Sequence, residues 1–467
     1  MTKIKFGTDG WRALIAEDFT FENVRQVIQA FCDYQEAGLI ILGYDRRFQS
    51  DAFARTVASV LTGNGFKVLL SSSYCPTPCV AWMTQEKKAI AGVMVTASHN
   101  PSAWNGIKFK ESYGGSASPE YTKAVESILE KNISQGKIPK EIDLDIARQK
   151  GLLKEFDPKK EYLKTFEKFL SLDKIQKRKW KIGFDPLFGA GADFLTPILG
   201  ENLLQIHGEA NPSFGGLNPE PIEKNLKALI RLVQKEKCDV GLSTDGDADR
   251  IGAVDEQGNF VDSHHIFALI LRHLVEVKGM KGDVVKTVST TGMIDQLTKK
   301  YNLPLHETAI GFKHICKKFL ETNPLMGGEE SGGIAIAKHL YERDGLLSGL
   351  MLVEIMTHHN KRLSELIEDL HGDVGPHFFE RDDLHLKEEQ MVRIRGQLPT
   401  MTVQELAGQK VTGINRADGC KFYLADNSWL LIRASGTEPL LRVYAEADRP
   451  EKVKKIQQAA KEILRVG

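Results

Sequence analysis

The sequence predicts an α/β protein with three related mixed-sheet domains and a smaller C-terminal α+β domain. Stretches that begin at Leu39, Lys181 and Asp283 share one plan of apolar strand, polar loop, helix and second strand. Strands that alternate with helices indicate βαβ units. Residues 411–445 depart from this plan and read as several short strands separated by turns. A chain of 467 residues also exceeds what one hydrophobic core supports.

The predicted domain limits follow the order of these elements. The polar segment 143–156 is helical in pattern, and Asp157-Pro158 can stop a helix, which favours a first boundary nearby. The last domain ends in a helix that begins at about Glu451. The four predicted domains are residues 1–152, 153–256, 257–372 and 373–467.

Composition narrows the classes of partner. Lysine plus arginine equals aspartate plus glutamate at 62 each, so no basic excess favours nucleic acid. No apolar stretch approaches a membrane span, and the N-terminus lacks a signal region. The six cysteines are scattered, as is typical of free thiols in a reducing cytosol. We expect a cytoplasmic monomer or homodimer that binds neither nucleic acid nor membrane.

Ser98 is the first candidate for chemistry. It follows the apolar run 91–95 and precedes an Asn-Pro turn, so its hydroxyl is expected at the carboxyl end of a buried strand. Open α/β sheets place ligands at that end. A serine there beside His99 is a candidate nucleophile or phosphate carrier, although an ordinary turn serine has the same local pattern. Lys108 and Arg12, each on a glycine-containing segment, supply nearby cationic groups.

A second candidate is the acidic loop after the predicted strand 240–243. Asp245, Asp247 and Asp249 alternate with small residues, and each close pair costs on the order of a few kcal/mol near a surface. A divalent cation removes that penalty. The glycine spacing and distal glutamate of a calcium-binding EF-hand loop are missing. Arg250 can neutralise the loop or hold a phosphate, and a solvated acidic turn is the alternative interpretation.

Two further loops complete the set. The turn 433–439 offers backbone N–H groups, hydroxyls and arginine to an anion. The glycine-dense loop 327–333 lacks the lysine of a P-loop, and its carboxylates suit hydroxyl donors such as those of a sugar. Each can also be a structural turn. Together, a hydroxyl carrier, a cation site, an anion anchor and a hydroxyl-binding loop indicate phosphoryl transfer onto or off a polyol.

With these loops in this order, the chain resembles the α-D-phosphohexomutase superfamily, the phosphoglucomutase and phosphomannomutase family, over its whole length. The resemblance implies four domains around one central cleft. It also implies a hexose 1-phosphate/6-phosphate isomerase that works through a phosphoserine and a hexose 1,6-bisphosphate intermediate. The motifs that carry it are GTDGWR at 7–12, TASHNP at 96–101, DGDADR at 245–250, GEESGG at 328–333 and RASGTEP at 433–439.

The resemblance also assigns roles. Ser98 carries the phosphoryl group and, with the three aspartates, holds magnesium. Arg12, Lys108 and His99 surround the transferring group, with Lys108 favoured over His99 for proton transfer. The residues implied to bind the phosphosugar are Arg250, Gly311, Lys313, Glu329, Ser331, Arg433, Ser435, Gly436 and Thr437.

The preferred sugar is predicted from the 328–333 loop. Glu330 matches the pattern of glucose-preferring enzymes, so glucose is favoured and mannose is the second substrate. Gly333 stands where phosphoglucosamine mutases and the dual-specificity enzymes carry histidine, and Trp11 replaces the valine typical of phosphoglucosamine mutases. Three alternatives stay open: a phosphoglucosamine mutase, a synthase of glucose 1,6-bisphosphate that uses an outside donor, and a non-catalytic phosphosugar-binding protein.

Overall fold

The protein folds into four consecutive β-sheets in a computed structural model that describes residues 4–7, 10–435 and 439–466. Three of the sheets are mixed and carry helices, and the fourth is antiparallel. This confirms the predicted fold class. Within the described ranges, no helix is both long enough and apolar enough to cross a bilayer.

The first sheet has six strands. They are β1 (Trp11–Leu14), β2 (Leu39–Tyr44), β3 (Lys67–Ser71), β4 (Ala91–Val95), β5 (Trp104–Glu111) and β6 (Leu153–Phe156). The helices of this part are α1 (Phe21–Tyr34), α2 (Ser50–Gly63), α3 (Thr77–Glu86), α4 (Pro119–Ser134) and α5 (Leu144–Gln149). The strand order is β1-β5-β4-β2-β3-β6, and β5 runs antiparallel to both of its neighbours, β1 and β4. The strands β2 and β4 are continuous apolar runs, as is typical of parallel strands buried on both faces.

The second sheet has five strands in the order β11-β10-β9-β7-β8. They are β7 (Ile182–Asp185), β8 (Leu203–Gln205), β9 (Val240–Thr244), β10 (Ile251–Asp255) and β11 (Phe260–Val261). The accompanying helices are α6 (Pro158–Phe169), α7 (Leu172–Arg178), α8 (Thr196–Leu199) and α9 (Lys227–Glu236). Short 3₁₀ turns at 200–202, 214–216 and 223–225 complete this part.

The third sheet has four strands in the order β13-β12-β14-β15. They are β12 (Asp283–Thr287), β13 (Leu305–Thr308), β14 (Pro324–Gly328) and β15 (Ile334–Ile336). Its helices are α10 (Ser263–Glu276), α11 (Met293–Lys300), α12 (Phe312–Glu321), α13 (Gly345–His359) and α14 (Leu363–Val374). The helix α13 is buried over most of its length, because its apolar residues belong to the core that the second and third sheets share.

The three mixed sheets share one topology. In each, the first strand of the unit pairs with the second and third in parallel, and a fourth strand adds antiparallel to the third. The loop between the third and fourth strands is residues 96–103, 245–250 and 329–333 in turn. We call these the three third-strand loops. Each contains one of the motifs that the sequence singled out, so three of those motifs occupy equivalent places in related sheets.

The fourth sheet is an antiparallel array in the order β16-β21-β20-β19-β18-β17. Its strands are β16 (Phe378–His385), β17 (Glu405–Leu406), β18 (Gln409–Asn415), β19 (Cys420–Leu424), β20 (Trp429–Ala434) and β21 (Leu440–Ala447). The helices α15 (Glu388–Gln397) and α16 (Pro450–Leu464) flank it, with a 3₁₀ turn at 398–400. This part has its own apolar core, whereas one large core joins the three mixed-sheet parts.

The elements shift three of the predicted domain limits. The strand β6 at 153–156 pairs with β3 and extends the first sheet past residue 152. The strand β11 at 260–261 pairs with β10 and extends the second sheet past residue 256. The limit at 372 falls inside α14. Composition marks where the chain becomes polar, but the partner of a short strand depends on the folded sheet.

A buried carboxylate joins the third and fourth parts. Glu446 on β21 is 1% exposed. It accepts hydrogen bonds from Gly292 N at 2.7 Å and Trp429 Nε1 at 3.0 Å, and His377 Nδ1 lies 3.0 Å from the same oxygen. Gly292 precedes α11, and His377 lies in the link between α14 and β16. The carboxylate therefore connects both sides of the interface and the link between them.

We expect Glu446→Gln to destabilise this interface by about 1–3 kcal/mol, because the amide cannot replace a charged acceptor of several donors. Thermal unfolding and hydrogen exchange of β20 and β21 measure the effect. Glu405→Gln, an exposed carboxylate of the same sheet, is the matched control. Equal changes in unfolding temperature and in hydrogen exchange for the two variants would contradict the anchoring role of Glu446.

Candidate active site

A cavity of about 780 Å³ lies where the four parts of the chain meet. The three third-strand loops open towards it, and strands of the antiparallel sheet form the opposite wall. Loop residues and strand ends position charged side chains here because the carboxyl ends of parallel strands meet at one edge of a sheet. The predicted site residues that line the cavity are Arg12, His99, Arg250, Gly311, Glu329, Ser331 and Arg433.

Ser98 lies beneath this cavity in an uncommon backbone conformation. Its φ is 53°, in the left-handed region that few residues other than glycine adopt. The side chain is buried, and Oγ donates a hydrogen bond to Asp245 Oδ2 at 2.8 Å. The Ser98 carbonyl also approaches Gly246 so closely that a Cβ at 246 would lie 2.3 Å from it. The serine loop and the acidic loop are therefore packed directly against each other.

Arg47 fixes this backbone. Its guanidinium donates to the carbonyl oxygens of Ser98 at 2.6 Å and Asn100 at 2.7 Å, and to those of Pro101 and Trp104 at 2.9 and 3.0 Å. The charged hydrogen bonds from Arg47 to these buried carbonyl oxygens stabilise the loop and offset the strain of the left-handed backbone at Ser98.

Asp45 completes the support of the serine loop. Its carboxylate pairs with Arg47 Nε at 3.1 Å and accepts from Thr96 Oγ1 at 2.6 Å. Thr96 Oγ1 in turn accepts from Ser98 N at 2.9 Å. Asp45 and Arg47 were not predicted from the sequence, although a charged pair directly after the apolar strand β2 was a usable signal.

The three aspartates of the acidic loop converge as predicted. One oxygen of each lies within 4.8 Å of the others, and all three side chains are buried. Asp245 Oδ1 accepts from the backbone N–H of Asp249 at 3.0 Å and of Arg250 at 3.2 Å, which folds the loop back on itself. We call Asp245, Asp247 and Asp249 the acidic triad.

Cations from three parts of the chain compensate the acidic triad. Lys108 Nζ on β5 donates to Asp247 at 2.8 Å and to Asp249 at 2.9 Å. Arg343 reaches Asp249 from the third part, with its guanidinium nitrogen 2.9 Å from Oδ2. Arg250 Nε lies 4.0 Å from Asp249 Oδ1. Because buried charges are tolerated only when paired, these contacts hold the loops together.

The pKa values of Asp245 and Asp247 are shifted in opposite directions. Burial and the neighbouring carboxylates Asp247 and Asp249 raise the pKa of Asp245 well above its usual range. Burial also acts to raise the pKa of Asp247, but the Lys108 ammonium and the Thr77 hydroxyl outweigh it and lower that pKa. Like charges in one site separate the pKa values of equivalent groups in this way.

The donor set fits a hard divalent cation. Oδ1 of Asp247 and Oδ1 of Asp249 are buried and have no hydrogen-bond partner among the described residues. Oxygen ligands from carboxylates are what Mg²⁺ binds in proteins, usually completed by phosphate or water. In the described part of the chain, no other set of three carboxylate, histidine or cysteine ligands converges as closely.

His99 and Arg12 flank the serine. His99 Nδ1 lies 3.5 Å from Ser98 Oγ. Burial, followed by the nearby Arg250 and Arg12, lowers the pKa of His99 well below its usual value, so the ring is neutral. Arg12 on β1 donates to Asn100 Oδ1 at 2.8 Å, which aims its guanidinium along the serine loop.

The 328–333 loop presents Glu329 and Ser331 to the cavity. Glu329 Oε1 accepts from Gly311 N at 3.1 Å, so the two predicted residues are joined directly. Burial raises the pKa of Glu329 to about 7, while Arg343 and Arg250 act to lower it. Lys313 lies outside the cavity lining, with Nζ 3.5 Å from Gly7 O at the rim of the first part.

The wall from the antiparallel sheet is rich in arginine. Arg433 Nε lies 2.9 Å from Asp418 Oδ2, and Arg381 and Arg442 line the cavity beside it. Ser435 N donates to Leu440 O at 2.8 Å, which closes the turn between β20 and β21. Gly436 and Thr437 lie outside the described residues. Arg381, Arg442 and Arg343 could not be predicted as site residues, because they stand at positions without a local sequence motif.

The chain matches models of the phosphoglucomutase/phosphomannomutase family over most of its length. The alpha/beta/alpha domains I, II and III match residues 3–136, 160–258 and 262–373. The C-terminal domain matches residues 391–463.

Relatives of known name and structure agree with this. A Thermococcus kodakarensis protein named phosphoglucomutase/phosphomannomutase is 31% identical, over 99% of this chain and 97% of its own. A Methanopyrus kandleri protein named as a probable phosphoglucosamine mutase is 30% identical, over 98% of this chain and 97% of its own. A crystal structure from Thermus thermophilus, described as a candidate phosphomannomutase, has a TM-score of 0.85 at 31% identity and covers 99% of both chains.

The support of the serine loop is testable through Arg47. We expect Arg47→Lys to lower the free energy of unfolding by about 2 kcal/mol or more, because one ammonium cannot reach all the carbonyls that the guanidinium serves. Urea unfolding measures the loss. Arg55→Lys, an exposed arginine on α2, is the control and should change little. A small effect at both positions would contradict the role given to Arg47.

Proposed function

This chain belongs to the phosphoglucomutase/phosphomannomutase family, whose members are phosphohexomutases, and we propose that it interconverts glucose 1-phosphate and glucose 6-phosphate, with mannose phosphates as second substrates. The observation that carries the proposal is the contact between Ser98 Oγ and Asp245 at one end of a cavity whose other end is lined by arginines. A hydroxyl beside a cation site and a separate anion anchor suit a substrate with phosphate at either end.

In the proposed reaction, phosphorylated Ser98 gives its phosphoryl group to the free hydroxyl of a bound hexose monophosphate. The P–O bond to Ser98 breaks, a P–O bond to the sugar forms, and the sugar hydroxyl loses its proton. The product is a hexose 1,6-bisphosphate, which returns its other phosphate to Ser98 after reorientation. A hexose 1,6-bisphosphate is accordingly both intermediate and activator.

Different residues of the site are proposed to bind the metal, orient the phosphoryl group and move the proton. We propose that the acidic triad and the phosphoryl group on Ser98 hold Mg²⁺. When bound, the ion neutralises charge on the phosphoryl oxygens. Arg12 orients the transferring group. We propose that Lys108 relays the proton of the sugar hydroxyl, accepting it as its own ammonium proton passes to the Asp247 carboxylate 2.8 Å away. Neutral His99 is the second candidate because its Nδ1 lies 3.5 Å from Ser98 Oγ.

We propose that the 328–333 loop recognises the sugar and that a separate set of residues binds its phosphate. Glu329 and Ser331 form hydrogen bonds with sugar hydroxyls, and Gly311 supports Glu329 through its N–H. Lys313 is the further substrate-binding residue proposed from this segment. Arg250, Arg433 and Ser435, together with Gly436 and Thr437, bind phosphate. Glu330 is braced by Ser289 Oγ at 3.0 Å and lies 3.4 Å from Arg381, which supports its use as a fixed, glucose-type recognition element.

Glucosamine phosphate is the alternative to glucose phosphate as the main substrate, because relatives of similar identity carry the name of phosphoglucosamine mutase. Turnover of the 1- and 6-phosphates of glucose, mannose and glucosamine distinguishes a glucose enzyme from a glucosamine enzyme. Turnover of glucosamine phosphates alone would overturn the glucose assignment. Dependence on a stoichiometric phosphoryl donor would indicate a bisphosphate synthase, and binding without turnover a phosphosugar-binding protein.

Ser98 gives the central test. We expect intact-mass analysis and fragmentation to find one phosphate on Ser98, and Ser98→Ala to lose that phosphate and about 10³-fold or more of the mutase rate. The assay contains Mg²⁺ and a trace of glucose 1,6-bisphosphate. Ser102→Ala, four residues along the same loop, is the control and should keep both. A fully active Ser98→Ala variant would refute the mechanism.

Glu329 predicts a pH dependence. Its carboxylate, with a pKa raised by burial to about 7, is protonated below that pH and then accepts hydrogen bonds from sugar hydroxyls poorly. We therefore expect KM to rise about five- to tenfold between about pH 7.5 and pH 6. Glu329→Gln should have a higher KM that follows only the titration of the substrate phosphate. Parallel pH profiles for wild type and Glu329→Gln would contradict this.

A further inference from the structure

We propose that Arg343 is a positioning residue that couples the acidic triad to the 328–333 loop, which we call the sugar-facing loop. Position 333 is a glycine because the Arg343 side chain occupies the space where a side chain at 333 would lie. This inference rests on the proposed function and adds to it the residue that links its two halves. Arg343 belongs to none of the motifs that identify the site. It lies between β15 and α13, ten residues after Gly333.

One guanidinium spans two functional groups. A terminal nitrogen of Arg343 lies 2.9 Å from Asp249 Oδ2 of the acidic triad. The other terminal nitrogen lies 3.6 Å from Glu329 Oε2 on the sugar-facing loop. The side chain lines the cavity, although the residue is only 4% exposed. A planar fork with fixed nitrogens suits such a bridge, and a lysine ammonium does not.

The orientation of this guanidinium is itself fixed. Arg343 Nε lies 3.0 Å from Glu342 Oε1, and Glu342 Oε2 lies 2.6 Å from Lys110 Nζ on β5. The guanidinium also stacks over Phe312, with its carbon 5.0 Å from the ring centroid. Lys110, Glu342 and Arg343 are all buried. The bridge is therefore held from the first part of the chain as well as from the third.

Gly333 provides the space for Arg343. A Cβ at position 333 would lie 2.2 Å from Arg343 Cδ and 2.9 Å from Cγ, well inside van der Waals contact. Gly332 has a φ of 93°, whereas Gly333 is not among the residues with positive φ. The backbone at 332 thus requires glycine for its conformation, and the backbone at 333 requires it for space alone.

The backbone of Gly333 has little room to move aside. It forms a β-bridge with Arg250, and its carbonyl accepts from Glu329 N at 3.0 Å. A side chain at 333 must therefore displace Arg343 or break the bridge. The space beside Gly333 is therefore filled by the side chain of Arg343, which comes from ten residues further along the chain.

Arg343 affects its two partners in opposite ways. Its positive charge on Asp249 offsets part of the negative charge that attracts a cation to the acidic triad. The same charge favours the ionised form of Glu329, which lines the cavity. Removing the guanidinium should therefore strengthen cation binding and weaken sugar-phosphate binding. A general loss of structure would weaken both.

The test measures the two affinities directly on the full-length protein by calorimetry. For Arg343→Ala we expect the Kd of Mn²⁺ to fall about three- to tenfold and the Kd of glucose 6-phosphate, measured in chelator, to rise about tenfold. Gly333→Ala should change both in the same directions. In the Arg343→Ala background, Gly333→Ala should add no further change, because its target is gone.

The controls are a buried arginine and an unconstrained glycine of the third part. Arg272 pairs with Asp373 at 3.5 Å, and Gly372 has open space at its Cβ position. Arg272→Ala should lower stability without changing either affinity, and Gly372→Ala should leave both affinities unchanged.

Unchanged affinities, or affinities that weaken together, in a folded Arg343→Ala protein would overturn the coupling. Failure of the proposed function has a different signature: the wild type would lack phosphate on Ser98 and mutase turnover while the two affinities still shift in opposite directions. A wild type that binds no hexose phosphate would overturn both proposals.

Discussion

The burial of three carboxylates at Asp245, Asp247 and Asp249 is the constraint on which the arrangement of the molecule depends. Leaving such charges unpaired in the interior costs several kcal/mol each. The compensating cations are Lys108 from the first sheet and Arg343 from beside the third, with Arg250 close by. Charge balance therefore requires the first three parts of the chain to meet at this loop, and the large shared apolar core fixes them there.

The repeated topology explains why the chemistry is divided as it is. Each mixed sheet places the loop after its third strand at the carboxyl edge, and the three loops carry a hydroxyl, a set of carboxylates and a glutamate that faces the cavity. None of these groups is reactive or selective alone. Their convergence on one cavity turns three similar loops into one site with different roles.

Patterns that lie within a short stretch of sequence were predictable, and groups supplied from a distance were not. The serine loop, the acidic triad and the 328–333 loop follow apolar strands, so their placement could be inferred locally. Arg47 and Arg343 act through contacts with residues that are distant along the chain or belong to another sheet. The strand at 153–156 was assigned to the wrong part for the same reason, since its partner β3 is set by the folded sheet.

The antiparallel part differs from the others in how it is attached, and this bears on the proposed reaction. In that reaction a bisphosphate presents each end to Ser98 in turn, so the phosphate held by the arginine wall must leave it and the other phosphate must take its place. That wall belongs to a part with its own apolar core. Its interface with the third part includes polar contacts such as Glu446 with Gly292 and Glu307 with Lys421 at 2.8 Å. An apolar cluster of Val288 from the third part with Trp429, Leu431 and Tyr444 from the fourth lies at the same interface. Movement of the arginine wall relative to the acidic triad would therefore break these contacts, but it would leave in place the charge balance that holds the other three parts together.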